Sequence, residues 1–422
     1  MANLRVGTGI TFDGATGNFN TLGIGTVRGA FNATGAINAT SGLNVGTAAT
    51  IHANGNVTCG IVTSSAFIPT SGQLSHRNLI INGAMMVAQR GTSSTSSGVQ
   101  TIDRYSINYG GTDEAPTMAQ VDVSSGTTPY TLGFKKAFKI TNGNQSSGAG
   151  AADYMELYQY LEDQDISNSG WNFKSSSSYI TISFWIKSSV AQKFTGFFYT
   201  NTAGAGDSFM YSYQIDNGSG GNLSADTWTK ITHSIPGNSS LSFNNDNSRG
   251  FSVGIYQFNG TNYTTSDHTE NAWSAWDSSD KIKDMTSTWY TTNDATLEIT
   301  GLQLEVGSVA TPFEHRSFAD ELRRCQRYYI FNGATMGNAG KSYSMTDMDM
   351  PVTVNYGFPV QMRATPSVTT TNVNIRDDSN SSISANINSL SIYGHQYGVK
   401  KVGGQSEEYG LTISDFKYDA EL

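Results

Sequence analysis

The sequence predicts an all-β protein: fibrous N-terminal β repeats, a jelly-roll β-sandwich, one short linking α-helix and a C-terminal β domain. Three observations carry that prediction. Short runs rich in Val, Ile, Thr, Tyr and Phe are separated by Gly, Pro, Asn and Ser turn signals along most of the 422 residues. Charged residues make up only 14%, against about 25% in typical domains, while 45 Gly, 21 Tyr and 20 Phe are present. Disordered chains are poor in aromatics, so this composition points to a turn-rich folded chain. Helical periodicity combined with capping signals is seen at one place, after residue 316.

Residues 1–72 carry formal charge only at Arg5, Asp13 and Arg28. Short units recur there: TGIT at 8–11, TLGI at 21–24, TGAI at 34–37, SGLNV at 41–45, NGNV at 54–57 and CGIV at 59–62. Each sets one or two small or β-branched apolar residues beside a turn signal. A single strip of this kind has too few large apolar groups for its own core. One reading is a flexible linker. The recurrence of Ile and Val favours a fibrous segment, three chains winding together so that Ile10, Ile24, Ile37, Val45, Val57 and Ile61 meet near an axis. A homotrimer follows from that reading.

The sandwich is placed at 73–316, with the boundary in the Pro/Gly/Ser cluster FIPTSGQLSHRN (67–78). Its strands are read at 179–189, 193–200, 208–216, 227–235, 250–258 and 295–306, with apolar/polar alternation visible from Thr181 to Ile186. Strands in series without intervening helices argue for a jelly roll. A linking helix is placed at 317–332: Ser317 sits where an N-cap would, with Asp320 three residues on. Phe318, Leu322, Cys325 and Tyr329 recur at helical spacing, and Arg323, Arg324 and Arg327 gather toward the C-terminal end, where positive charge is favourable. Residues 333–422 supply further strands, in 349–373, 382–394 and 408–422.

Several of these stretches are also a resemblance. Asn78-Leu79 with Asn82-Gly83 and Gln89-Arg90-Gly91, then Asp103-Arg104-Tyr105, resemble the opening of a domain found in tail-fibre and virion structural proteins of tailed bacteriophages. QLEVGSVATPFEHR (303–316) and DELRRCQRYY (320–329) resemble the segment that closes that domain. Phe358–Pro366 (FPVQMRATP) and the terminal Asp419–Leu422 (DAEL) are similar to the same family. The resemblance runs over about 78–422. It implies a carbohydrate-binding-module-like sandwich, attachment of a virion to the host surface by lipopolysaccharide or another surface glycan, and attachment to other tail or baseplate proteins through residues 1–72. It also implies assembly in the host cytoplasm. The alternatives are a purely structural virion component and a polysaccharide depolymerase.

The residues themselves narrow the chemistry. Net charge is −9 with no basic block, which disfavours nucleic acid. No stretch reaches the roughly 20 apolar residues of a spanning helix, so no membrane insertion is expected. The start MANLRVGTGITFDG lacks an apolar leader core. Cys59 and Cys325 fall in segments of different character, so no disulfide framework is expected. GxSxG, HExxH and P-loop patterns are missing, no catalytic residue is assigned and the expectation is a non-enzyme. His52, His76, His233, His268, His315 and His395 are scattered without ligand spacing, so neither metal nor cofactor is expected. Asp347, Asp349 and NNDN (244–247) lack a full calcium loop and read as solvated turns. Glu156, Glu162, Asp163 and Asp165 cluster in DYMELYQYLEDQD. As a strand this puts Glu156 on one face with Tyr154, Tyr158 and Tyr160, a half-buried strand rather than a catalytic pair.

Loop aromatics are the candidate glycan contacts: Trp171, Tyr263, Trp273 and Trp276, each in a polar, turn-forming context. Sugar C–H faces stack on such rings while polar neighbours bond the hydroxyls. The competing reading is that the rings pack over sandwich edges or between subunits. Glu305, Arg316, Ser317, Asp320, Arg324 and Arg327 are read as a structural joint between sandwich and helix, with the arginines able to reach another chain.

Overall fold

The computed structural model describes residues 75–200, 208–332, 352–377, 382–383, 385–391, 394–399 and 409–421, together with short strands in the first 59 residues. The chain divides into two compact units, Met1–Ile68 and Pro69–Leu422. In the first, Ile10–Asp13 pairs antiparallel with Asn18–Thr21, and Leu43–Val45, Ala49–Ile51 and Val57–Cys59 form a three-stranded meander. Ile10, Val45 and Val57 fall in these strands. Ile24, Ile37 and Ile61 lie outside the described residues.

The second unit contains two six-stranded antiparallel sheets. The first runs Trp273–Ala275, Phe209–Ile215, Phe194–Thr200, Arg249–Asn259, Tyr154–Glu162, Ser106–Gly110. The second runs Thr229–Pro236, Tyr179–Ser188, Thr296–Val306, Lys136–Thr141, Thr117–Asp122, Ser93–Ser94. Alternation builds the core between them. Leu157, Leu161, Phe198, Tyr211, Tyr213, Val253 and Ile255 from the first sheet belong to one buried cluster with Ile182, Phe184, Ile186, Leu297, Ile299 and Leu304 from the second. Each large apolar side chain so buried contributes about 1.5–3 kcal/mol. The strand Arg249–Asn259 is buried on both faces after its first residue, because a further layer covers the outside of its sheet. Its inward positions are the large apolar Phe251, Val253 and Ile255, while Ser252, Gly254 and Tyr256 face the covering layer. The strands Ser106–Gly110, Thr117–Asp122 and Lys136–Thr141 were not read from the sequence; polar and Lys positions interrupt their pattern. Single-turn helices at Thr128–Thr131, Asp163–Ser167 and Thr288–Thr291 also interrupt the strand series.

Asn78 and Asn82 stitch the entry segment to the sandwich. Asn78 Nδ2 donates to the Leu302 carbonyl at 3.2 Å and its Oδ1 accepts from Ile80 and Leu304 N–H groups. Asn82, with φ +60°, bonds both ways with Val87 and donates to the Asp103 carbonyl. Gly83 is needed for contact, since a Cβ there would lie 2.1 Å from the Leu302 oxygen.

The helix spans Phe318–Gln326, and the Ser317 hydroxyl accepts from Asp320 N–H at 3.2 Å, the expected cap. Its buried face differs from the one read by spacing. Phe318 is 56% exposed, whereas Glu321 is buried beside Cys325. Glu321 is tolerated inside because its carboxylate accepts from Asn82 N–H and from Arg316. Tyr329 lies beyond the helix, opening the strand Tyr329–Asn332 that pairs with Tyr409–Asp419. That strand continues a four-stranded sheet through Ser367–Asp377 to Ser382–Ile383, and Val352–Gly357, Gly394–Val399 and Ala385–Ser391 form another of three. Ile330, Met362, Tyr418 and Ala420 make a small separate core.

Between sandwich, helix and terminal strand lies a band of buried charge. Arg104, φ +77° and buried, bonds the Tyr160 carbonyl and the Glu421 carboxylate, and lies 3.3 Å over the Tyr328 ring. Arg90 lies 3.6 Å over Tyr329 and pairs with Asp419 at 3.0 Å and Glu421 at 3.4 Å. Arg363 donates to the Ala420, Glu421 and Asn247 carbonyls. Glu162, wholly buried, takes both Arg327 Nε and Nη2, at 2.6 and 2.7 Å, and the Tyr328 hydroxyl at 2.6 Å. Burial pushes the Glu162 carboxyl up, but those donors, Gln164 and the Arg327 charge outweigh it and hold it below the usual Glu range.

Removing one member of such a pair leaves a buried group uncompensated, so Glu162→Gln should lower unfolding free energy by about 3–5 kcal/mol at neutral pH. A carboxyl held low stabilises the fold above its unfolded value and loses that contribution as pH falls through the folded one. Urea unfolding should therefore show wild type weakening below roughly pH 4 more steeply than the variant. Parallel pH profiles would contradict this placement.

Candidate functional site

The outer face of the first sheet, turned away from the core, is the candidate site. Strand register sets its side chains in rows. Tyr160, Ser252, Tyr199 and Met210 form one row; Tyr158, Gly254, Phe197 and Ser212 the next; Asn108, Glu156, Tyr256, Thr195 and Gln214 the third. Phe197, Met210, Tyr256 and Ile282 make a buried cluster of their own, with Tyr158, Tyr199 and Met285 packed on it and half-exposed. Gly254 makes room for it: a Cβ there would meet the Phe197 ring at 2.4 Å. Phe197 in turn stacks on Tyr256 with centroids 4.3 Å apart.

Over this base the aromatic rim is open. Tyr158 and Tyr160 meet edge-on at 4.8 Å, Arg249 lies 4.2 Å over Tyr160, and Tyr199 meets Trp276 at 6.1 Å. Between Tyr160 and Tyr199 the buried Ser252 hydroxyl has no hydrogen-bond partner. Asn108 Nδ2 donates to Glu156 at 3.1 Å. Burial holds the Glu156 carboxyl above its usual range, against that bond and the charge of Lys281. The arrangement offers π-faces with hydroxyl, amide and carboxyl groups beside them, which is what a saccharide ring uses.

Segment 260–285 folds across one end of this face and is pinned by a chain of hydrogen bonds. Ser212 Oγ lies 2.9 Å from His268 Nε2, and His268 Nδ1 lies 2.8 Å from Asp280, which also accepts from Thr265. The residue types and order match a hydrolase triad, but the exposure is inverted. Ser212 is completely buried on a regular strand, while the Asp280 side chain is 44% exposed. A nucleophile must reach a substrate carbonyl; here the hydroxyl is the innermost member. The chain acts as a clasp.

The sequence-derived contact residues do not converge. Trp171 is a correction: it is 3% exposed, packs edge-on against Phe173 and Phe251, and donates its indole N–H to the Ser178 carbonyl. Its polar neighbours concealed a ring that plugs the end of the core. Trp273 is half-buried on the sheet edge against Tyr211, with its indole N–H on the Pro236 carbonyl at 2.8 Å. Tyr263 stands edge-on to Tyr154 at 5.8 Å beneath Lys281. Trp276, 44% exposed, joins the rim through Tyr199. Missed were Tyr158, Tyr160 and Tyr199; the signal for the first two was present in the alternation of YMELYQY.

The joint residues lie together at the other side of the sandwich. Glu305 accepts from Thr311 N–H and hydroxyl and from Gln303, and pairs with Arg77 at 3.5 Å. Arg316 bonds the Asn78 and Ile80 carbonyls and pairs with Glu314 and Glu321. Ser317 also donates to the Asp320 carboxylate. The carboxylates adjacent in sequence part company: Glu162 goes to Arg327, whereas Asp163 accepts from the Asn244 and Asn245 N–H groups of NNDN. Asp347 and Asp349 lie outside the described residues.

If the Ser212–His268–Asp280 chain is a clasp, a fluorophosphonate probe should leave Ser212 unlabelled, and His268→Ala should speed amide exchange across 264–283 several-fold. Rapid labelling of Ser212 would contradict the assignment.

No family model matches the chain, and no curated protein matches it. Among solved structures it is similar to the enzymatically active domain of tailspike protein 4 from bacteriophage CBA120, at 10% identity and a TM-score of 0.28, over 55% of this chain. It spans only 21% of the length of that tailspike chain. It is also similar to the family 11 carbohydrate-binding module from Clostridium thermocellum in complex with a mixed-linked tetrasaccharide, at 12% identity and TM-score 0.25, over 52% of this chain and 98% of that one. The CBM22-1 xylan-binding domain from Paenibacillus barcinonensis matches at 12% identity and TM-score 0.23, over 53% and 97%.

Proposed function

We propose that this chain is a tail-fibre-type virion protein of a tailed bacteriophage that binds a host surface glycan, such as lipopolysaccharide, through the outer face of its first sheet. The observation that carries the reading is the rim of Tyr158, Tyr160, Tyr199 and Trp276, rings left partly open on the outer face of the sheet. A monomeric surface has little reason to keep such rings half-exposed above a second packed cluster. The motif resemblance over 78–422 supports the phage assignment. In this reading the protein is a homotrimer whose residues 1–72 engage tail or baseplate proteins, and threefold repetition raises weak single-site affinity by orders of magnitude.

A purely structural virion role is the second reading. It is favoured by the destination of the motif residues: Asn78, Asn82, Gln89, Arg90, Arg104, Glu305, Arg316 and Tyr328 all bond within the fold. An array of bacterial surface polysaccharides separates the two. Binding that falls about tenfold or more in Tyr199→Ala and in Trp276→Ala is expected, since tenfold corresponds to 1.4 kcal/mol, within the range for an aromatic contact. No binding to any polysaccharide, or equal binding by the variants, would favour the structural role.

A further inference from the structure

The arginines around the capped helix are not equally neutralised, and the difference marks a second site. Arg316 has Glu314 and Glu321, and Arg327 has both oxygens of Glu162. Arg324, half-buried, has no carboxylate within ion-pair distance among the described residues; its bonded partner is the His76 Nδ1, at 3.2 Å. An arginine only donates, so His76 Nδ1 is the acceptor in this contact. Arg324 opens into a cleft of about 670 Å³ that Arg323 and His315 also line. Of the acids whose charge reaches it, Glu314 is engaged by Asn78 N–H and Arg316, and Glu321 by Asn82 N–H and Arg316, while Asp165 acts on it from beyond ion-pair distance. Asp320, which lines the cleft with Glu314, is held by Ser317.

We propose that this cleft binds an oxyanion, a carboxylate or phosphate group, through the guanidinium of Arg324 with Arg323 at its mouth. Among the described residues the bond to His76 occupies one of the five Arg324 N–H donors, which leaves donors for an anion. The planar fork suits bidentate contact with either anion, and partial burial strengthens a charge-assisted bond relative to one in open water. The anion can be carried by an acidic saccharide or be free phosphate. The site is independent of the aromatic face, which lies on other residues.

Titration of the full-length chain with inorganic phosphate, glucuronate and, as neutral control, glucose tests it. Saturable binding of phosphate or glucuronate is expected, weakened at least tenfold in Arg324→Ala and several-fold in Arg324→Lys, which keeps the charge and loses the fork. Phosphate, which offers an aromatic ring no face to stack on, should bind Tyr199→Ala as it binds wild type. Glucuronate binding without phosphate assigns an acidic saccharide; phosphate binding without glucuronate assigns a phosphate group. If neither binds, or if folded Arg324→Ala and Arg324→Lys both bind as wild type does, the proposal is overturned.

Discussion

Arg104 is a guanidinium sealed from water, and the way it is satisfied fixes how the second unit closes. Its donors reach a backbone carbonyl of the sandwich and the carboxylate of the penultimate residue, Glu421, and its face is covered by Tyr328 just after the helix. An ionised group in such a place is tolerable only when its charge is paired, as that of Arg104 is, although its Nε has no partner among the described residues. Strand Tyr154–Glu162, the helix exit and the terminal strand must therefore all be in position at once. The positive φ of Arg104 fits this role: a left-handed backbone at a non-Gly residue costs on the order of 1 kcal/mol and is held by the contacts around it. Arg90 over Tyr329 and Arg327 on Glu162 repeat the same device on either side.

Much of the sandwich was legible because period-2 alternation and turn residues report burial directly. Tyr179–Ser188, Phe194–Thr200, Phe209–Ile215 and Thr296–Val306 fall within a residue of where the pattern puts them. The helix cap was legible for the same local reason. Its buried face was not, since Glu321 is inside only because Asn82 and Arg316 come from elsewhere to bond it, and Phe318 is exposed although spacing favours it. Strands such as Lys136–Thr141 escaped because Lys136 and Lys139 sit in them.

The site shows the same division. Tyr154, Glu156, Tyr158 and Tyr160 sharing a face could be read from one strand. That Tyr199 and Ser252 complete their row depends on register between strands far apart in sequence. Ser212 and His268, 56 residues apart, meet by the same kind of long-range placement. Trp171 misled because local polarity describes a loop's sequence neighbours and says nothing of the Phe251 ring it meets across the core.

Whether Arg104 and Glu421 close the interior between the two ends of the unit is decided by a double-mutant cycle on the pair. Urea unfolding of wild type, Arg104→Met, Glu421→Gln and the double variant gives the coupling. A value of about 1.5 kcal/mol or more is expected for a close, desolvated charge pair. A coupling indistinguishable from zero, with each single variant near wild-type stability, would contradict the account.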